Sequence, residues 1–412
     1  MSKHLLMLML AVVTSVAVGC TTKSVPPPQT EALGARSFAR QWATDLADGR
    51  ANPITAIHLV DKFVFAYRQD GSSAVIDRTS GRLMQVDRPA DGVNGLHAPV
   101  VLKDRIVYPT TTHLDVFEVG GRHIPHPLRP TDESDKPFSQ DLKFPIRSDA
   151  VGTGKMVYFG ADFRASGRAV AADMTRAYVP EIWTLMTPGS FVSAAPALSK
   201  DTVFIASEKG SVTAVTMEDR QPVWSLPEGV FGTYGGVVAN LMLDSTGLYV
   251  ASTDSKLYCL NEKLGKVKWQ FFAGAALRTP PALTKDAVYQ YIEGRGLAAI
   301  DKNPGPDANN ASRSPRWLAP QARQFLAEDG SYVYIANAEK RILALDKATG
   351  EERFRSRRKD FSAFAASTAG DGLIYLADDN ARVTAVHPIL QAGSAGEVVM
   401  DASPVQSVAL AK

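Results

Sequence analysis

Residues 259–269 read Cys-Leu-Asn-Glu-Lys-Leu-Gly-Lys-Val-Lys-Trp, and residues 344–354 read Ala-Leu-Asp-Lys-Ala-Thr-Gly-Glu-Glu-Arg-Phe. Both have one plan. A small residue is followed two places on by an amide or carboxylate, four further by Gly, and four further by an aromatic ring. Upstream of each lies an aliphatic-aromatic pair, Leu248-Tyr249 and Val333-Tyr334. That pair occurs eight times: also as Val64-Phe65, Val107-Tyr108, Val157-Tyr158, Val203-Phe204, Val288-Tyr289 and Ile374-Tyr375. The aromatic spacings are 43, 50, 46, 45, 40, 45 and 41 residues. Self-similarity at this period is the signature of a repeat architecture.

Each position has a physical reading. Alternation around the aromatic pair reads as strand. Gln69-Asp70-Gly71 and Glu208-Lys209-Gly210 read as tight hairpins between that strand and the next. The stretch from the polar residue to Gly81, Gly265, Gly305 or Gly350 reads as a longer turn in which Gly takes a positive φ. Val75, Val116, Ala171, Ala214, Cys259, Ala299, Ala344 and Ala385 hold the small position, which suggests close sheet packing there. Cys259 then reads as a small buried hydrophobe. A further short strand precedes each pair, as in Ala98–Asp104, Ala195–Asp201 and Pro281–Asp286. Four strands in about 45 residues make one propeller blade. The expected fold is all-β, an eight-bladed β-propeller of four-stranded blades over residues 38–388. Seven blades also fit, because the first three units are the least regular.

The WD and GH signatures of one propeller class are absent. The stretches 259–269 and 344–354 instead resemble the tryptophan-docking repeat of the quinoprotein-like (PQQ-like repeat) propellers, and the resemblance spans about residues 40–388. The last unit stops at Val386 and Pro388 without an outer strand. Trp42, in Phe38–Leu46, has no blade before it. The N-terminal strand is therefore expected to close the last blade and remove a frayed edge.

Ahead of that strand, Lys3 and His4 precede a nearly unbroken apolar run from Leu5 to Val18, ending in Ala17-Val18-Gly19-Cys20. The run is short for a membrane span and suits a signal peptide. Its end resembles a lipobox, so residues 1–19 read as a lipoprotein signal and Cys20 as the lipidated residue. Residues 20–37, with Pro26-Pro27-Pro28, read as an extended tether. Residues 389–412 form a small-residue-rich tail.

Charge and chemistry narrow the function. Lys plus Arg number 45 against 43 Asp plus Glu, a net charge of +2, which gives no reason to expect nucleic acid. Gly152-Thr-Gly154-Lys155 precedes a strand rather than a helix, so it reads as a hairpin and not a phosphate loop. Asp378-Asp379-Asn380 reads as a turn rather than a calcium site. His113, His123 and His126 lie in and before an insertion at 119–148. No Cys or carboxylate stands at ligand spacing, so His123 and His126 are expected to contact a partner rather than a metal. Arg353, Arg355, Arg357, Arg358 and Lys359 begin on an outer strand, where charge deters edge pairing.

The enzymes of the resembled family use pyrroloquinoline quinone and calcium. The resemblance would imply acidic and amide ligands and, in many, adjacent cysteines; no such set is legible here, and no cofactor is expected. The layout of anchor, tether and propeller resembles the family's lipoproteins of outer-membrane barrel assembly. That likeness implies a non-enzymatic scaffold, lipid-anchored to the outer membrane and facing the periplasm, which binds envelope proteins of the barrel-assembly machinery. Leu277-Arg278 before Thr279-Pro280-Pro281 resembles a partner-contacting pair of that group. The alternatives are a quinone-dependent dehydrogenase and a scaffold of another envelope complex.

Overall fold

The computed structural model of the chain describes residues 31–33, 38–49, 52–89, 92, 97–120, 138–142, 144–163, 166–175, 183–187, 190–227, 235–303, 312–357 and 359–389. Every regular element among them is a β-strand. The strands form eight sheets. Blades 1 to 7 cover residues 54–87, 100–141, 151–187, 197–226, 242–272, 282–319 and 322–356. Blade 8 joins residues 361–388 to the strand Phe38–Asp45.

The ring follows from where apolar side chains go. The second strands are buried over most of their length, and Phe63–Arg68, Gly247–Ser252 and Ile374–Asp378 at every residue. Such a strand needs a neighbour on both faces. Buried apolar side chains among the described residues gather in eight clusters, and each lies between two successive blades. Eight sheets in an open arc would have seven seams. The eighth seam joins blade 8 to blade 1 through Trp42, Tyr375 and Ala385 against Val64, Ala66 and Ile76.

The repeat positions meet on adjacent strands. Cys259 stands opposite both Tyr249 and Trp269, Ala299 opposite Tyr289 and Trp317, and Ala385 opposite Tyr375 and Trp42. A small side chain on the middle strand lets the two rings close over it. Tyr249–Trp269 and Tyr289–Trp317 lie 5.8 Å apart, Phe204–Trp224 5.9 Å and Trp42–Tyr375 6.1 Å. The small residue is thus needed less for one sheet to meet another than for ring contact within a blade. Cys259 is 1% exposed, and burial pushes its thiol up to about 11, so it is an inert core residue.

Each of three tryptophans then reaches the next blade. An added Cβ on Gly81 would lie 2.6 Å from the Trp42 ring, on Gly265 2.7 Å from Trp224, and on Gly350 2.6 Å from Trp317. The indole N–H groups donate to Arg78, Glu262 and Lys347 carbonyls at 2.9, 2.8 and 3.0 Å. These glycines have φ of +73°, +69° and +73°. Gly is required twice over here, by the turn and by the neighbouring indole. Gly305 lies outside the described residues.

The expected closure holds. Phe38–Asp45 runs antiparallel to Arg382–Pro388, with Trp42 opposite Ala385. Arg78 of blade 1 locks the junction: its Nε donates to Tyr375 Oη at 3.0 Å and its Nη2 to Ser367 Oγ at 3.1 Å.

Three local features differ from the sequence reading. In blade 2 the register is offset, so Val116 faces Val107 and Tyr108 faces Asp115. Blade 6 makes an excursion between its third and outer strands, and Ser312–Arg313 pairs in parallel with the outer strand of blade 5. The basic outer strand of blade 7 is not an open edge: Glu31–Leu33 pairs with it in parallel. Its charges permit this because they are neutralised locally. Arg353 pairs with Glu351 at 3.1 Å and Asp346 at 3.4 Å, and Arg355 with Glu352 at 2.6 Å.

Candidate partner-binding surface

Strand alternation puts two sets of segments at one end of every blade: the lead-in to the inner strand and the turn between second and third strands. Backbone hydrogen bonds join them. Gln69 N donates to Pro53 O at 3.0 Å, Glu208 N to Phe191 O at 2.9 Å, and Thr253 N to Gly236 O at 2.9 Å. These loops make one face of the ring. Loops held on a rigid frame are where binding residues concentrate.

Near the inner end of this face, three lead-ins meet. Asp149 ahead of blade 3 accepts from His97 Nδ1 at 3.1 Å and Ala98 N at 3.3 Å, both ahead of blade 2. It also accepts from Asn240 Nδ2 at 2.7 Å, ahead of blade 5. Asn240 Oδ1 in turn accepts Ala195 N at 3.0 Å, so the lead-in of blade 4 is tied in. Burial alone would raise the Asp149 carboxyl, but the hydrogen bonds from His97 and Asn240 outweigh it and hold it at about 2. His58, whose ring lies 4.7 Å from Tyr67, has its pKa lowered by burial against the opposing pull of Asp149. Further out, Arg147 bridges Asp162 at 2.9 Å and Glu208 at 3.2 Å and covers the Phe191 ring at 4.6 Å. These groups pin four lead-ins in register.

The lead-in of blade 6 carries the expected Leu277-Arg278 pair. Leu277 is 0% exposed in the seam between blades 5 and 6, and its N–H donates to Ser252 O at 3.1 Å. It roots the loop and offers no surface of its own. Arg278 is exposed. His123 and His126 lie outside the described residues, as do Cys20, the signal segment and residues 390–412. His113 lies on the third strand of blade 2, with Nε2 3.7 Å from Asp141. Gly152–Lys155 forms the expected hairpin, and Lys155 pairs with Asp173 at 2.8 Å. Asp378 accepts the N–H groups of Asn380 and Arg382 at 3.0 and 3.1 Å, closing a turn.

On the opposite face, sequence reasoning missed a cation that follows the repeat's Asp. Arg78, Lys302 and Lys347 all occupy that position. Lys302 is 4% exposed at its side chain and is held by Asp244 and the Thr284 carbonyl. Lys347 pairs with Glu328 at 3.1 Å. Glu328 also accepts the Tyr289 hydroxyl at 2.7 Å. The recurring Asp-Arg and Asp-Lys dipeptides were the available signal.

The quinone and calcium of the resembled enzymes would need a convergent set of acidic ligands. Among the described residues no three His, Cys, Asp or Glu side chains gather where they could hold a metal. Four buried or half-buried carboxylates are already engaged: Asp149 by His97 and Asn240, Asp244 by Lys302, Glu328 by Lys347, and Asp87 by Tyr108 at 2.7 Å. This donor set does not fit those groups.

The comparisons bear on the same point. Residues 232–315, which span blade 5 and most of blade 6, match the family model described as outer membrane protein assembly factor BamB. No curated protein sequence matches the chain. Among solved structures, BamB from Moraxella catarrhalis is similar at a TM-score of 0.61 and 15% identity, covering 87% of this chain and 99% of that one. The designed protein Ika8 scores 0.58 at 15% identity, covering 82% and 98%. Quinohemoprotein alcohol dehydrogenase from Comamonas testosteroni scores 0.58 at 12% identity, covering 91% and 80%. A designed protein and a dehydrogenase match nearly as well as BamB, so the structural likeness shows the fold alone. The chain is an eight-bladed β-propeller whose residues 232–315 match the BamB family model and whose fold resembles that of BamB.

Proposed function

We propose that the protein is a binding scaffold of the cell envelope that takes part in outer-membrane protein assembly. The observation that carries this reading is the match of residues 232–315 to the BamB family model within a complete eight-bladed ring. In this reading Cys20 is acylated, residues from Cys20 onward tether the ring to the outer membrane, and the propeller faces the periplasm. The tightly hydrogen-bonded lead-in face suits a scaffold, because its charges fix loops in place instead of waiting for a substrate. Arg278 is the contact residue of its loop, with Leu277 as the anchor beneath. The insertion with His123 and His126 supplies a second contact.

Cross-linking in membranes tests this. A photo-reactive residue at the neighbouring exposed position 279 should capture a barrel-assembly component. Arg278→Glu should reduce that capture at least tenfold, on the order of the 2 kcal/mol of an interface hot spot, with the melting temperature unchanged. Capture of a different envelope complex would defeat the assembly role. The rival reading, a quinone-dependent dehydrogenase, draws on the Comamonas testosteroni match. Titration with pyrroloquinoline quinone and calcium should show no absorbance change; saturable binding would revive the enzyme.

A further inference from the structure

Blade 5 departs from the chain's own repeat at two exposed positions. In the turn between third and outer strands, the residue before the glycine is Ser80 in blade 1 and Thr349 in blade 7. Each hydroxyl accepts a backbone N–H within the turn, Arg82 N at 3.3 Å and Glu351 N at 3.3 Å. Blade 5 has Leu264 there, 61% exposed. The leucine forfeits the turn bond and gains no burial. Three residues past the outer-strand aromatic, blades 4, 6, 7 and 8 carry Pro227, Pro320, Arg357 and Asp45. Blade 5 has Phe272, 60% exposed. These are the two most exposed large apolar side chains among the described residues, and they fall on one hairpin. A local rule broken without structural gain marks a functional position.

The charge of the hairpin is equally one-sided. Between residues 256 and 272 it carries Lys256, Lys263, Lys266 and Lys268 against Glu262 alone. Among the described residues no ion pair holds these lysines; Lys268 is bound only to the Thr246 carbonyl at 2.5 Å, and Lys256 lies 5.8 Å over the Tyr258 ring.

We propose that this flank of blade 5 contacts an anionic lipid headgroup layer, with Leu264 and Phe272 entering it and the lysines meeting phosphates. The shape selects lipid over an acidic protein. The two apolar tips stand at opposite ends of the outer strand, about 20 Å apart at the rise of an extended chain. Lys266, Lys268 and Gln270 lie between them, so they make no continuous apolar centre of the kind a protein interface needs. A headgroup layer accepts separate apolar tips and flanking lysines without such a centre. The contact rests on the envelope location proposed above and would orient the tethered ring with blade 5 toward the bilayer. Its readout below is independent of partner capture, so either reading can fail alone.

The chain from residue 20 onward with Cys20→Ser, which lacks both the signal segment and the acyl site, is labelled with an environment-sensitive fluorophore at Leu264→Cys, Phe272→Cys or, as control, Leu83→Cys on blade 1. Cys259 is buried and does not compete. Vesicles of phosphatidylglycerol and phosphatidylcholine in equal parts should blue-shift the labels at 264 and 272 and leave 83 unchanged. Phosphatidylcholine alone should shift none. Lys263→Glu with Lys266→Glu should weaken vesicle binding by about tenfold or more. Labels at 264 and 272 that stay in water, or a shift at 83 of the same size, would overturn the proposal. A shift with polyglutamate and none with vesicles would assign the surface to an acidic protein and overturn it as well.

Discussion

At the scale of single residues, the repeat is a set of fits between one blade and the next. The sequence shows that Gly81, Gly265 and Gly350 end turns. It does not show that an indole from the preceding blade lies against each α-carbon. The fit can be tested by contrast. Gly265→Ala combines a positive φ with a collision against Trp224, and should cost roughly 2–4 kcal/mol. Gly49 has a φ of +75° and nothing within 4 Å of an added Cβ. Gly49→Ala should therefore cost only about 1–2 kcal/mol, the backbone part alone. Urea unfolding of both variants measures the difference, and equal losses would mean that the indole contact contributes nothing.

At the scale of elements, the decisive piece is the strand Phe38–Asp45. Its partner, Arg382–Pro388, lies more than 300 residues away in sequence. Trp42 is 7% exposed, packs on Tyr375 and Gly81, and donates to the Arg78 carbonyl, so it touches both sides of the last seam. Trp42→Ala should lower stability by roughly 3–5 kcal/mol. Deleting residues 38–45 should do more. It would bare the edge of Arg382–Pro388 and open the ring, and the chain should then associate through that edge, as light scattering after size exclusion would reveal. A monomer as stable as the intact chain would remove this strand from the role of fastener. The pairing was legible in outline, since a last unit lacking its aromatic outer strand and a first aromatic lacking its blade can only complement each other.

At the scale of the whole molecule, carboxylates bridging blades, one buried and one half-buried, set how stability follows pH. Asp87 ends the outer strand of blade 1 and is 2% exposed. Burial, only partly offset by the Tyr108 and Gln85 hydrogen bonds, raises its pKa to about 6. An unfolded Asp titrates near ~3.9. Between those values the folded chain keeps a proton that the unfolded chain has lost. The Asp87 contribution is therefore full below about pH 4, falls as pH rises toward 6, and is constant above, a change of roughly 2–3 kcal/mol. Asp87→Asn should flatten that limb and raise stability at pH 7. Asp149 works the other way. Held at about 2, it stabilises above pH 4 and loses that contribution as pH falls toward 2. Its carboxylate is 36% exposed and partly screened, so Asp149→Asn should cost only about 1 kcal/mol at neutral pH. Unfolding curves from pH 2 to 8 check both slopes.

The sequence by itself determined the repeated strands, the turn glycines and the closing strand, and narrowed the blades to seven or eight, of which the structure has eight. Each of these is written in spacing along the chain, and a repeat states its rule eight times over. Tertiary structure alone decided the rest. The small residue proved to serve the ring contact above it, which depends on cross-strand register. Leu277 proved to be a buried root and Arg278 the exposed member of the pair, because burial depends on the blade alongside. The cluster of His97, Asp149 and Asn240 joins residues 143 positions apart, from lead-ins that bear no motif. The extra strands on blades 5 and 7 come from segments outside the repeat, so no periodicity announced them.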